Sequence, residues 1–177
     1  MNSISGTEGF RKVDFGELSK RLDVFGSIGS EWMLVTAGTP EKFNTMTASW
    51  GFIGVMWNKP CAVTAIRPQR YTKEFMDRGE YFTLSFYPPE MRKALAFCGS
   101  NSGRDVDKCC KTGLVPVAVG DTVAFEQARC ILLCRKLYAQ KMDADCFVDK
   151  GIVSEQYRLN DLHTAYYAEI IAAYEKV

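Results

Sequence analysis

The sequence predicts a mainly β protein, in which short strands build a closed or partly closed antiparallel barrel with a few short helices at its periphery. Three observations lead there. Short runs of β-formers recur between turn residues, no βαβ rhythm is visible, and no internal repeat is present.

Taken in order, residues 1–30 read as a lead-in to a single domain spanning 1–177. Within Phe10–Phe25, Val13, Leu18 and Leu22 lie among charges, as in a short amphipathic stretch. Trp32–Ala37 (WMLVTA) is a strand that ends at Gly38 and Thr39-Pro40, a turn signal, so Asn44–Trp50 becomes its hairpin partner. Gly51 and Gly54 bracket another apolar piece. Asn58-Lys59-Pro60 then breaks the chain before Cys61–Ile66 (CAVTAI), a continuous buried strand. Pro68 stops that strand, Thr72 can cap a helix through Lys73–Met76, and Gly79 closes it.

Tyr81–Tyr87 (YFTLSFY) is the next strand. Pro88-Pro89-Glu90 opens a helix that buries Met91, Leu95 and Phe97 or Cys98. Cys98–Leu114 begins with glycine, serine and asparagine, which favour turns and leave backbone N–H groups free. It continues into a short helix around Asp105–Lys108 that ends near Gly113. Pro116 and Gly120 break Val115–Phe125 into short or bent strands. Ala128–Met142 fits either helix or strand; Cys130, Leu132, Cys134, Lys136, Tyr138 and Gln140 align at period 2, and the β neighbours favour a strand. Leu162–Tyr174 is the last strand.

The 177 residues suffice for a core without covalent staples, and 47% hydrophobic with 12% aromatic content excludes general disorder. With 22 basic and 21 acidic residues the net charge is +1, so no long-range field attracts nucleic acid or an anionic membrane, and any anion site must be local. No apolar run approaches the ~20 residues of a membrane span. Seven cysteines without a secretory leader suit a reducing, cytoplasmic setting. They form no CxxC and no metal spacing, and with His163 as the sole histidine no metal site is expected.

Side-chain catalysis finds no constellation: no Ser/His/Asp order, no GxSxG and no HExxH, and GSNSGRD lacks dinucleotide spacing. Asn44–Thr72 is more suggestive. Thr45, Thr47 and Ser49 alternate with Met46, Ala48 and Trp50, so the hydroxyls share one strand face, and Arg67, Arg70, Tyr71 and Thr72 follow just before a helix. Such groups suit a phosphate, with Ser49, Arg70 and Thr72 as donors. Three contacts at about 1.5–3 kcal/mol each give roughly 5–9 kcal/mol gross, short of the about −8 kcal/mol net for micromolar binding once ordering costs enter. A planar ring against Trp50, Met46 or Tyr71 must supply the rest. Flavin mononucleotide (FMN) fits that description, with pyridoxal phosphate behind it, while an exposed Thr/Ser strand face, surface arginines and core tryptophans are the bland alternatives.

NTMTASWG (44–51), RPQRYT (67–72), FCGSNSGRDVDK (97–108) followed by Gly113-Leu114, and NDLHTAYYAEI (160–170) resemble, in order and spacing, the flavin reductase-like family with the FMN-binding split barrel, including its flavoredoxin-like members. The likeness spans roughly Trp32–Tyr174. It implies a Greek-key split β-barrel and a homodimer with non-covalent FMN near the subunit interface. By this resemblance Thr45, Met46, Thr47, Ala48, Ser49 and Trp50 would wrap the phosphate, ribityl chain and ring edge. Arg67, Arg70, Tyr71 and Thr72 would complete those contacts. Gly99, Ser100, Ser102, Gly103, Arg104 and Lys108 would form the loop closing over the flavin, and His163 would lie near the flavin or the nicotinamide.

The implied activity is NAD(P)H-dependent reduction of free flavin or another small-molecule or protein acceptor, without a catalytic acid or base. A flavoredoxin-like electron carrier without NAD(P)H activity and a flavin-free binding module are the alternatives. Ala168 stands where the family commonly has glycine, and Cys109-Cys110 has no motif reading beyond buried packing.

Overall fold

Ten strands and five short helices follow one another in the computed structural model, which describes residues 6–177. The lead-in is more structured than its sequence suggests. Phe10–Val13 is a strand, β1, and Phe15–Ser19 a single helical turn, α1, whose Gly16 N–H donates to the Asp14 side chain at 2.7 Å. The expected hairpin is formed by β2 (Met33–Thr39) and β3 (Lys42–Ala48). Its turn lies later than predicted, because β2 runs through Gly38. With φ at +115°, that residue brings the backbone so close to β3 that a Cβ would lie 2.3 Å from the Lys42 carbonyl oxygen. A second hairpin joins β4 (Gly51–Met56) to β5 (Lys59–Ile66) through Trp57 and Asn58, both at positive φ as a two-residue hairpin turn requires.

After Pro68 comes α2 (Thr72–Arg78). One sequence expectation fails here and one holds: the Thr72 hydroxyl does not cap the helix but accepts from Asn44 Nδ2 at 2.8 Å, whereas Gly79 closes it as expected, in an extended conformation. Strand β6 (Tyr81–Phe86) and a 3-10 turn at Pro89–Met91 lead into α3 (Arg92–Ser100), which buries Leu95 and Cys98. Helix α4 (Lys108–Thr112) is capped by Asp107 and closed by left-handed Gly113. The hairpin β7 (Pro116–Val119) and β8 (Thr122–Phe125) precedes β9 (Cys130–Lys141), a strand as the period-2 pattern favoured. An excursion that includes α5 (Lys150–Gln156) leads to β10 (Thr164–Lys176).

All pairings are antiparallel, in the order β3-β2-β6-β9-β10-β5-β4, with β1 against the second half of β10 and β7–β8 as a separate ribbon. The two early hairpins thus sit at opposite ends of the sheet, and β6 returns beside β2 in Greek-key fashion. The sheet curls on itself. One buried cluster draws Met46 and Ala48 from β3 together with Ala62 and Ile66 from β5, although these strands lie near opposite ends of the strand order. No ladder joins β3 to β4, so the barrel has an open seam. A second core lies outside β6 and β9, where Leu95, Val117, Phe125, Ile131 and Leu133 meet. Strand β9 therefore buries both faces of its first half.

Cys61, Cys98, Cys130 and Cys134 are buried, but the expected packing of Cys109-Cys110 holds only in part, because Cys110 is exposed at the surface of α4. Among the described residues no three His, Cys, Asp or Glu side chains are grouped to hold a metal ion, and no helix is long and apolar enough to cross a membrane.

Candidate functional site

The open seam carries a cleft. Two adjoining cavities of about 200 and 170 Å³ share Met46 and Arg70. The first runs along Met46–Trp50 at the end of β3, facing Ala65 and Arg67 at the end of β5 and His163 before β10. The second lies between Asn44, Gln69–Thr72 and the loop Ser100–Gly103, with Lys108 at its base. The chain brings these segments together because β5 and β10 pair at Ile66 and Thr164, and because α3 and α4 return the loop to β3.

Hydroxyl alternation places Thr45 and Thr47 on one face, as expected, but that face is turned toward protein. Thr45 Oγ1 lies 2.8 Å from Thr36 Oγ1, and Thr47 Oγ1 donates to the Leu95 carbonyl at 2.5 Å. Thr72 is fully buried behind Asn44. Loop hydroxyls are likewise engaged locally, Ser100 with the Ala96 carbonyl and Ser102 with the Arg104 N–H. The loop itself is pressed onto β3: a Cβ on Gly103 would meet Asn44 Oδ1 at 1.9 Å, and one on Gly99 would meet Thr47 Cβ at 3.3 Å.

The four cations singled out in the sequence divide into two pairs. Arg67 is committed to Asp161 at 2.5 Å, and Arg104 to Glu74 at 2.5 Å while lying over the Tyr71 ring. Arg70 and Lys108 have no carboxylate partner among the described residues, and residues 1–5 contain no acid. Arg70 Nη1 donates to the Gly99 carbonyl at 2.5 Å. The buried Lys108 Nζ donates to the Thr45 and Cys98 carbonyls, each at 2.7 Å. Burial, first, pushes both pKa values down, and neighbouring positive charge adds to this: Arg67 acts on Arg70, and Arg70 on Lys108. These two cations are held only by carbonyls, so no carboxylate among the described residues compensates their charge.

At the other end Trp50 and His163 lie with ring centroids 5.0 Å apart. Tyr157 OH is 2.9 Å from His163 Nδ1, and the Arg67 guanidinium lies 5.3 Å from the Tyr157 ring and 6.0 Å from that of Trp50. Burial and then Arg67 lower the His163 pKa to about 4, so its imidazole is uncharged at neutral pH. Sequence reasoning missed Asn44, Gln69, Tyr157 and Asp161 as neighbours of the cleft. Only Asp161 offered a signal, an acid two residues before the sole histidine; Tyr157 belongs to an excursion without periodicity.

Outside the seam Phe52, Trp57 and Tyr138 gather around Tyr167, with centroids 6.4, 6.3 and 5.5 Å from it. Phe52 is 55% and Trp57 52% exposed. Ala65 of the cleft and Ala165 beside Tyr167 are opposite each other in the β5–β10 ladder, so this aromatic face runs into the cleft.

A search of curated proteins returned no match. Solved structures share the fold. A flavoredoxin from Methanosarcina acetivorans superposes with a TM-score of 0.65 at 22% identity, covering 82% of this chain and 68% of its own. An FMN-binding protein from Thermus thermophilus gives 0.64 at 20% identity, covering 85% and 73%. An FMN-binding domain of a flavin reductases-like enzyme from Shewanella baltica OS155 gives 0.67 at 16% identity, covering 94% and 77%. The sequence model of the flavin reductase like domain matches residues 25–175, from before β2 almost to the end of β10. The chain, a split barrel with its cleft at the seam, belongs to the flavin reductase-like domain family.

Proposed function

We propose that the chain binds FMN in the seam and acts as an oxidoreductase, passing electrons from NAD(P)H through the flavin to free flavin or another acceptor. One observation carries this reading: Arg70 and Lys108, covered cations with only carbonyl partners, stand at one end of a cleft whose other end is walled by Trp50 and His163. A phosphate joined to a flat ring matches that distribution of charge and aromatic surface. The adjoining cavities together reach the low end of the ~300–1,000 Å³ usual for ligand sites.

In this reading Arg70, Lys108 and the backbone of Ser100–Gly103 hold the phosphate, Met46–Trp50 line the ribityl chain and ring edge, and Tyr71 flanks the loop beneath Arg104. Bound FMN would supply the redox chemistry. The side chains bind it, orient it and exclude water, and the uncharged His163 offers a hydrogen-bonding edge at the ring end without adding a further cation to the cleft.

The same reading makes the chain a homodimer. Exposed Phe52, Trp57 and Tyr138 cluster around Tyr167 as an apolar face suited to association, and a second copy seated there would cover the mouth of the cleft. Reduced thiols suit a cytoplasmic setting.

Purified protein mixed with FMN and desalted tests the proposal. Retained yellow colour is expected; a colourless protein that does not take up FMN overturns it. Anaerobic addition of NADH or NADPH should then bleach the bound flavin. Bleaching by neither leaves the carrier reading in its place.

A further inference from the structure

We propose that Arg67 is a positioning residue: with Asp161 it latches the excursion between β9 and β10 across the ring end of the cleft and so holds His163 against Trp50. The excursion has its buried apolar anchors only toward its end, at Tyr157 and Leu162. Helix α5 has no buried residue, and Val148, Ile152 and Leu159 face water. Such a segment opens at low local cost unless specific ties hold it.

The ties converge on Arg67. Its Nη1 donates to Asp161 Oδ2 at 2.5 Å and its Nη2 to the Gln156 carbonyl at 3.0 Å, so the two ends of one guanidinium grip two points of the excursion. Gln69 Nε2 adds a bond to the same Asp161 oxygen at 2.9 Å. The guanidinium also lies beside Tyr157, which connects to His163 Nδ1 on one side and to the Phe147 ring, 5.8 Å away, on the other. A planar fork that makes two hydrogen bonds while flanking an aromatic ring is a task for arginine that lysine performs poorly. Arg67 thus differs from Arg70: its charge is already compensated, and its geometry is spent on the wall of the cleft.

Because His163 is the sole histidine, its ring proton can be titrated by NMR without assignment. The groups that act on it are Arg67 and Arg70, which lower its pKa, Asp161, which raises it, and Tyr157, which bonds to Nδ1. The test is run on flavin-free protein, so its outcome is independent of FMN binding. Asp161→Asn separates the two explanations by sign. If Asp161 acted only through its charge, its removal would take the histidine pKa further below about 4. If it is half of a latch, the excursion lifts, water reaches the ring, and the pKa climbs by about one unit or more toward the ordinary range.

Arg67→Lys provides the second arm. It keeps the positive charge but loses the fork, so a latch again predicts a rise, with faster tryptic cleavage at Lys150 or Arg158 inside the excursion. Circular dichroism establishes that each variant is folded. A histidine pKa that falls or stays unchanged in folded Asp161→Asn, or stays unchanged in Arg67→Lys, overturns the proposal; should Asp161→Asn not fold, Arg67→Lys decides alone.

Discussion

Replacing Lys108 with methionine removes the buried one of the two cations that lack a carboxylate partner, while keeping an unbranched side chain of similar length. In the free chain the loss has two opposed parts. The Thr45 and Cys98 carbonyls lose a donor, which costs about 1–3 kcal/mol, while an unpaired buried charge disappears, which offsets part of that. The variant should therefore fold with a modest change in melting temperature. In the complex only the first part has a counterpart on the ligand. A charge-assisted contact contributes about 1.5–3 kcal/mol, so FMN affinity should weaken roughly 10- to 150-fold. Flavin fluorescence quenching measures this directly, and riboflavin, which shares the ring and ribityl chain but lacks the phosphate, is the control. The expected pattern is a large loss for FMN and little for riboflavin, with Arg70→Ala behaving alike. Equal losses for both ligands, or none for FMN, would refute the assignment of this end of the cleft to a phosphate.

Three further outcomes follow from the geometry. Gly103→Ala places a Cβ 1.9 Å from Asn44 Oδ1, so the Asn44 side chain or the loop must give way, and FMN binding should weaken by more than the melting temperature of the barrel falls. Trp57→Arg puts a charge into the exposed aromatic face and should shift the sedimentation coefficient from dimer toward monomer; an unchanged dimer would locate the interface elsewhere. His163 titrates at about 4 in the folded chain against 6.5 as its ordinary value, so between those pH values the unfolded chain binds the extra proton. Its contribution to stability is complete above pH 6.5 and is lost as pH falls toward 4. Urea midpoints for the wild type should drop more steeply across that window than for His163→Gln, and parallel profiles would contradict the burial of the ring.

Local chemistry explains which parts of the structure were legible in the sequence. The β2–β3 hairpin and the end of α4 at Gly113 rest on contacts within a few residues, and the residue types announce them, although α4 starts only at Lys108, with Asp107 as its cap rather than within it. Strand β9 was ambiguous by periodicity because it buries both faces, and the neighbouring strands decided it. Strand β1 escaped notice because its partner among the described residues lies more than 150 residues away, at Ala173–Lys176. Thr72 looked like a helix cap in isolation, yet Asn44 reaches it from β3 and takes the hydroxyl.

The same division runs through the cleft. By itself the sequence determined the β class, the ordered motifs that bind the chain to its family, and the set of arginines, lysine, hydroxyls and aromatics from which a flavin site can be built. Which of those cations is free could not be read from it, because charge compensation depends on partners distant in sequence: Asp161 for Arg67 and Glu74 for Arg104, with no acid for Arg70 or Lys108. Only the tertiary structure brings those pairs within hydrogen-bonding distance, and the loss of surrounding water makes an unpaired charge there count. It thereby leaves Arg70 and Lys108 without a carboxylate at one end of the seam, where we propose an anion binds, and pairs Arg67 with Asp161 at the other.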